Sequence, residues 1–223
     1  MTFDAQALGL NGVLAKNSFS LLEGISYATL RNALAAHATS ADAQAAVASL
    51  PATDPSGGIG WALPVAYARM LGISSYAPAT DDTVTLNTSY GWSYGQDVVA
   101  AIEHELTEGG MGRIGALGKN TDNAGHVLWS TMDLFRYSAP GVRDYTDGVD
   151  RQTTYFSVDG NQLLLPFHNQ YTGPSSINHG GDTADYSVLD MFGTGSPGTA
   201  LTLSSTDITN MNVLGWTPAV VAR

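Results

Sequence analysis

The stretch Glu103-His104-Glu105-Leu106-Thr107-Glu108-Gly109-Gly110-Met111-Gly112-Arg113 decides how this chain is read. Upstream of it, apolar Val98, Val99, Ile102 and Leu106 recur at helical spacing, so Gln96 to Gly109 is predicted to form one helix, ended by Gly109-Gly110. On such a helix His104 and Glu108 project from one face, and an imidazole and a carboxylate placed that way can grip one metal ion. Glu105 is rotated from His104 by about 100° and would sit beside the ion, as a base for water should. A bound metal lowers the pKa of such a water toward about 7, and the carboxylate accepts its proton. The alternative is a solvated helix face with carboxylates near a histidine. Against that alternative, Glu103, Glu105 and Glu108 around one histidine repel one another unless a cation or a proton intervenes.

Outward from this segment, the N-terminal half reads as helical. Ile25 to His37 is rich in Ala and Leu; Ser40 can cap Ala41 to Leu50, which Pro51 ends; Pro64 sits early in Leu63 to Leu71, closed by Gly72. Thr83 to Asn87 alternates with period two and is predicted to be a strand. After Gly118 short apolar pieces alternate with turns at Asp147-Gly148, Asp159-Gly160, Gly180-Gly181-Asp182 and Gly193 to Gly198. Tyr155 to Val158 and Leu163 to Leu165 form a hairpin signal around Asp159-Gly160, and Ser204 or Ser205 can cap a last helix, Asp207 to Leu214. The expectation is an α+β domain spanning 1–223, with a helical first half, a small mixed sheet and a loop-rich second half.

Composition narrows the function. The 223 residues are 43% hydrophobic and only 13% charged, which excludes a disordered tail, and no run of about 20 apolar residues offers a membrane span. With 9 Lys and Arg against 20 Asp and Glu, the net charge of −11 argues against nucleic acid as a partner. There is no cysteine, so a metal must be held by His, Asp, Glu or Tyr, and there are five His. No basic segment followed by an apolar run opens the chain, so no signal peptide is visible. The chain is then either cytoplasmic or a mature or excised domain of a larger exported protein. Many Gly, Ser, Thr and Asn with few Lys favour a secreted bacterial protein.

His104-Glu105-x-x-Glu108 resembles the HExxH helix of the zinc metallopeptidases called zincins, with Glu108 in place of the second histidine. The longer block through Met111-Gly112-Arg113 is similar to a variant found in secreted bacterial zincin-like proteins. Met132 to Ser138, Tyr155 to Gly160 and Leu214-Gly215-Trp216 fit the same pattern in order. The resemblance runs as blocks from Ile25 to Trp216 and implies a zincin-like, metzincin-like fold, a Zn2+ ion and endopeptidase activity. The third histidine of metzincins would fall at Ile114, which cannot bind metal, so the third ligand has to come from farther on. Asp133, inside the Met132–Tyr137 block, is the first choice, although it reads equally as a helix cap or a partner of Arg136 or Arg113. His126 is the second choice and His179 the third, with His168 and His37 structural or exposed. Tyr137 can donate its phenol to the metal or to an oxyanion, or be a core aromatic. Met132 can underlie the metal or be plain core. Asp182 and Asp185, with Asp159 and Asp190, are candidates for a structural Ca2+.

Two functions follow. In the first, a zinc-dependent endopeptidase, His104, Glu108 and Asp133 hold zinc, Glu105 activates water, and Tyr137 steadies the oxyanion. A peptide or protein substrate pairs, by analogy with zincins, along the strand Thr83 to Asn87. In the second, a non-catalytic zincin-like surface or carbohydrate-binding module, aromatics near Gly91-Trp92-Ser93-Tyr94 stack on sugars. Nothing in the sequence specifies an oligomeric state.

Overall fold

The computed structural model describes residues 1–10, 12–117, 128–146, 152–168, 183–195 and 198–218. The His126, His179 and Asp182 expectations, like the turns at Asp147-Gly148 and Gly180-Gly181, lie outside the described residues. Strand β1 (Thr2–Gln6) runs parallel to β5 (Asp82–Asn87), and β2 (Ala15–Phe19) runs antiparallel on its other side, which gives a mixed sheet of order β1-β5-β2. The pairing sets Phe3 beside Val84 and Asn17 on the opposite side of the same residue. β3 (Leu21–Ile25) pairs antiparallel with β4 (Trp61–Pro64); β6 (Arg136–Ala139) lies between β7 (Val142–Arg143) and β8 (Tyr155–Phe156); β9 (Tyr186–Leu189) pairs with β10 (Gly193–Thr194). The architecture is mixed α+β with small sheets.

The helices begin where their caps say. Ser26 accepts from the Thr29 N–H to start α1 (Tyr27–His37), Ser40 from the Ala43 N–H to start α2 (Ala41–Ser49), and Ser204 from the Asp207 N–H to start α5 (Ser205–Val213). Pro64 is not inside a helix: it ends β4 and caps α3 (Val65–Met70), where its missing N–H costs nothing. The hairpin signal near Asp159 appears as backbone bonds of Phe156 to Leu164 and Leu165, although only Tyr155–Phe156 is a strand. The first half is less helical than expected, because β1 to β5 all lie within residues 2–87.

One apolar cluster draws residues from Ile25 to Leu214, with Trp61, Leu30, Tyr67, Phe135, Phe156 and Phe192 all buried to 0% exposure. Removing each such side chain from water contributes about 1.5–3 kcal/mol. Trp61 stacks at a tilt between Tyr27 and Trp129, so the α1–β4 layer and the segment beyond the candidate site share this core. Among the described residues no helix is long and apolar enough to cross a membrane.

Candidate metal centre

The informative helix, α4 (Gln96–Glu105), stops earlier than its periodicity predicts and continues as a π-helical turn, Leu106–Gly110. Its expected apolar face is also incomplete: Val99 is exposed, while Asp97 and Ala100 are buried. π-turns inside helices concentrate at functional sites. Here the wider turn swings Glu108 so that its Oε1 lies 3.3 Å from His104 Nε2.

The third acidic group facing His104 is Asp185, just ahead of β9, with Oδ1 also 3.3 Å from Nε2. Its turn is drawn in by a glycine and two buried arginines. A Cβ on Gly115 would collide with Thr183 Oγ1, so only glycine lets the two segments approach. Arg136 donates to the Thr183 carbonyl and, at 2.7 Å, to Thr154 Oγ1. Arg113 donates to the Ala184 carbonyl and to Asp185 Oδ1. Gly112, at φ 88°, packs against the Tyr67 ring where a Cβ could not fit, and so turns the chain from the helix toward Arg113.

The donor atoms of His104, Glu108 and Asp185 lie within 4.8 Å of one another, in a group that could hold a metal ion. Their spacing suits that use. A separation of 3.3 Å is longer than an ordinary N–H···O bond of about 2.7–3.2 Å. It matches the edge of a tetrahedral zinc site, whose ligand atoms at about 2.0–2.1 Å from the ion stand about 3.3–3.4 Å apart. His104 Nδ1 lies 2.8 Å from the Met191 carbonyl, a contact that places a proton on Nδ1 and aims Nε2 at the carboxylates. Glu108 Oε2 accepts from Asn17 Nδ2 at 3.0 Å, and the same amide holds the Glu105 carbonyl at 2.9 Å. Strand β2 thus buttresses the end of α4.

The charges are strongly perturbed. Burial works most strongly against a charged His104, but the Asp185 and Glu108 carboxylates facing it together outweigh it and hold the imidazole well above its usual range. Burial likewise opposes ionisation of Asp185, yet His104 and Arg113 keep it far below the usual carboxylate range. Glu105 is pushed up to about 8, first by burial and then by the charge of Glu108, with Asp185 adding to it. A carboxyl raised this far feels the same local field as the donor group.

The other sequence candidates sit elsewhere. Asp133 is the N3 residue of a capping box on a 3-10 turn, Thr131–Phe135: its Oδ2 accepts from the Ser130 N–H at 2.7 Å and the Ala116 N–H at 3.1 Å. It is fully buried and outside the His104 group; the cap alternative describes it, with its acidity weakened to about pKa 6 by burial. Tyr137 is a buried residue of β6 with Arg143 over its ring at 4.7 Å, and Met132 belongs to the main core. Asp159 and Asp190 close local turns on the N–H groups of Asn161 and Phe192. Trp92 is buried with its indole N–H on the Asn87 carbonyl, whereas Tyr94 is 71% exposed, so the two do not form a shared platform. The strand ahead of α4 also departs from expectation. Flanked by β1 and β2, β5 has no free edge, and the edge nearest the site is β2.

Asp185 lies 72 positions beyond Arg113, so no local spacing ties it to the helix motif. The one signal that could have found it is Arg113 itself, a cation with no nearby carboxylate in sequence after Glu108. The fold and donor set define a mixed α+β protein with a candidate His-Glu-Asp metal centre. No protein-family model, curated protein or solved structure matches the chain.

Proposed function

We propose that the chain is a zincin-like, zinc-dependent endopeptidase in which His104, Glu108 and Asp185 hold the ion. The observation that carries this reading is the pair of 3.3 Å separations around a His104 whose other nitrogen is fixed by the Met191 carbonyl. A zinc ion there would supply Lewis acidity, polarising a peptide carbonyl and acidifying a water in its open position. Glu105, directly after His104, would serve as the general base for such a water once a bound cation had displaced its own proton, and would pass the proton on to the departing amine. Among the described residues no strand pairs with the outer side of β2, and its Asn17 reaches both Glu105 and Glu108, so an extended peptide added there would run beside the base. Tyr137, buried in β6, is given no part in this chemistry.

A second reading, a non-catalytic module of the same shape, is favoured by one observation: the buried Arg113 guanidinium bonds both Glu108 and Asp185 and can itself offset their charge. The test is metal content after mild chelation and reloading, followed by a peptide-cleavage screen. About one zinc per chain, lost in His104→Ala and Asp185→Ala, with cleavage abolished but zinc kept in Glu105→Gln, supports the enzyme. Bound zinc with no cleavage under any metal would leave the module, and no zinc at all would remove the metal reading.

A further inference from the structure

Arg113 is 0% exposed, and each of its five N–H donors meets an acceptor. Nε donates to Thr107 Oγ1 at 3.0 Å; one terminal nitrogen to Asp185 Oδ1 at 2.8 Å and the Ala184 carbonyl at 3.4 Å; the other to Glu108 Oε1 and the His104 carbonyl, both at 3.3 Å. The guanidinium lies over the buried Phe192 ring at 4.5 Å. A single side chain therefore touches all three residues of the candidate metal group. The carboxylate oxygens it holds, Glu108 Oε1 and Asp185 Oδ1, are the same two that face His104 Nε2.

Two anionic ligands would leave a divalent ion with no net charge at the site. A zinc site of two histidines and one glutamate keeps one positive charge, and a site of three histidines keeps two. With the guanidinium counted, the His104-Glu108-Asp185 group around a divalent ion carries one positive charge, the same as the two-histidine site. Hydrogen bonds from a cation also draw electron density out of ligand carboxylates and weaken them as donors.

We infer that Arg113 is the charge-balancing residue of this group: its guanidinium bridges the two carboxylates and stays in place beside a bound divalent ion, offsetting their charge. This rests on the metal reading given above. Arg113 is thus neither a ligand nor a competitor that must leave.

The test is zinc affinity by competition with a chromophoric chelator, in the full chain and two variants. Arg113→Gln removes the opposing charge and should bind zinc roughly tenfold more tightly or better. Arg113→Lys keeps the charge and should stay within about threefold of wild type, even though it cannot span both carboxylates. Should Arg113→Gln not fold, the wild type still decides through 15N-arginine NMR. The buried guanidinium should give slowly exchanging side-chain resonances that persist, shifted, when zinc is added. Weaker zinc binding by Arg113→Gln, or loss of those resonances on loading, would overturn charge balancing and make Arg113 a scaffold or a displaced plug. If the wild type takes up no zinc, the metal reading falls and this inference with it.

Discussion

His104 Nδ1 and the carbonyl oxygen of Met191 lie 2.8 Å apart although the two residues are 87 positions apart in the chain. The tautomer of His104 is set by this contact. In zinc-loaded protein, imidazole 15N NMR should show a proton on Nδ1 and none on Nε2. The reverse tautomer would mean that Nε2 faces no cation.

Zinc uptake should release protons. In the metal-free chain His104 is held charged well above its ordinary range, and Glu105 is raised to about 8. Near pH 7 both carry protons that a bound cation disfavours. Calorimetry in buffers of different ionisation enthalpy should therefore find at least one proton released per ion, and a net release of zero would contradict it. The raised His104 also stabilises the metal-free fold at low pH. That contribution is fully present below the unfolded pKa of about 6.5 and is lost as pH rises through the higher folded value.

Asp133→Ala should leave zinc content unchanged and lower stability by about 1–3 kcal/mol, because it strips the acceptor from two buried N–H groups. Thermal melting and metal analysis on one sample read both quantities. Zinc loss in a folded variant would return Asp133 to the ligand set.

Gly115→Ala should displace the Thr183–Asp185 turn, since its Cβ would strike Thr183 Oγ1. The expected result is a loss of about 1–3 kcal/mol of stability together with weaker zinc binding. Unchanged affinity in this variant would show that the turn does not position Asp185.

Burial, with the neighbouring Asp190 carboxyl adding to it, raises Asp207 to about 7. Its folded pKa exceeds the unfolded value of about 3.9, so the folded chain keeps a proton that the unfolded chain has lost. Its contribution makes stability fall as pH rises from about 4 to 7, then level off. Asp207→Asn should flatten that part of the melting-temperature profile and raise stability at pH 8. An unaltered slope would sever Asp207 from the pH response.

What could be read in the sequence was what one stretch of chain decides by itself. Ser40 and Ser204 start helices through their own hydroxyls, Pro51 stops one, and His104 meets Glu108 because they are neighbours on a single backbone. Val99 misled because periodicity records a possible face, and packing buried Asp97 and Ala100 instead. Strands β1 and β2 escaped notice because they are short, polar and stabilised by pairing with β5, and β1 is exposed along its whole length. Asp185 was legible as an acid but not as a partner of His104, since that meeting depends on Gly115, Arg113 and Arg136 acting across the chain. Asp133 drew attention through its motif block, and the cap it makes is a local bond that the same block encodes equally well.

The approach of Asp185 to the helix has a consequence for how the molecule would respond to its surroundings. An ion shared by these residues would fasten α4 to a turn 72 positions beyond Arg113, closing a large loop as a disulfide does. With no cysteine in the chain, that fastening would be indifferent to oxidants and reductants. Its cohesion would instead follow the supply of metal, loosening under a chelator and re-forming when the ion returns.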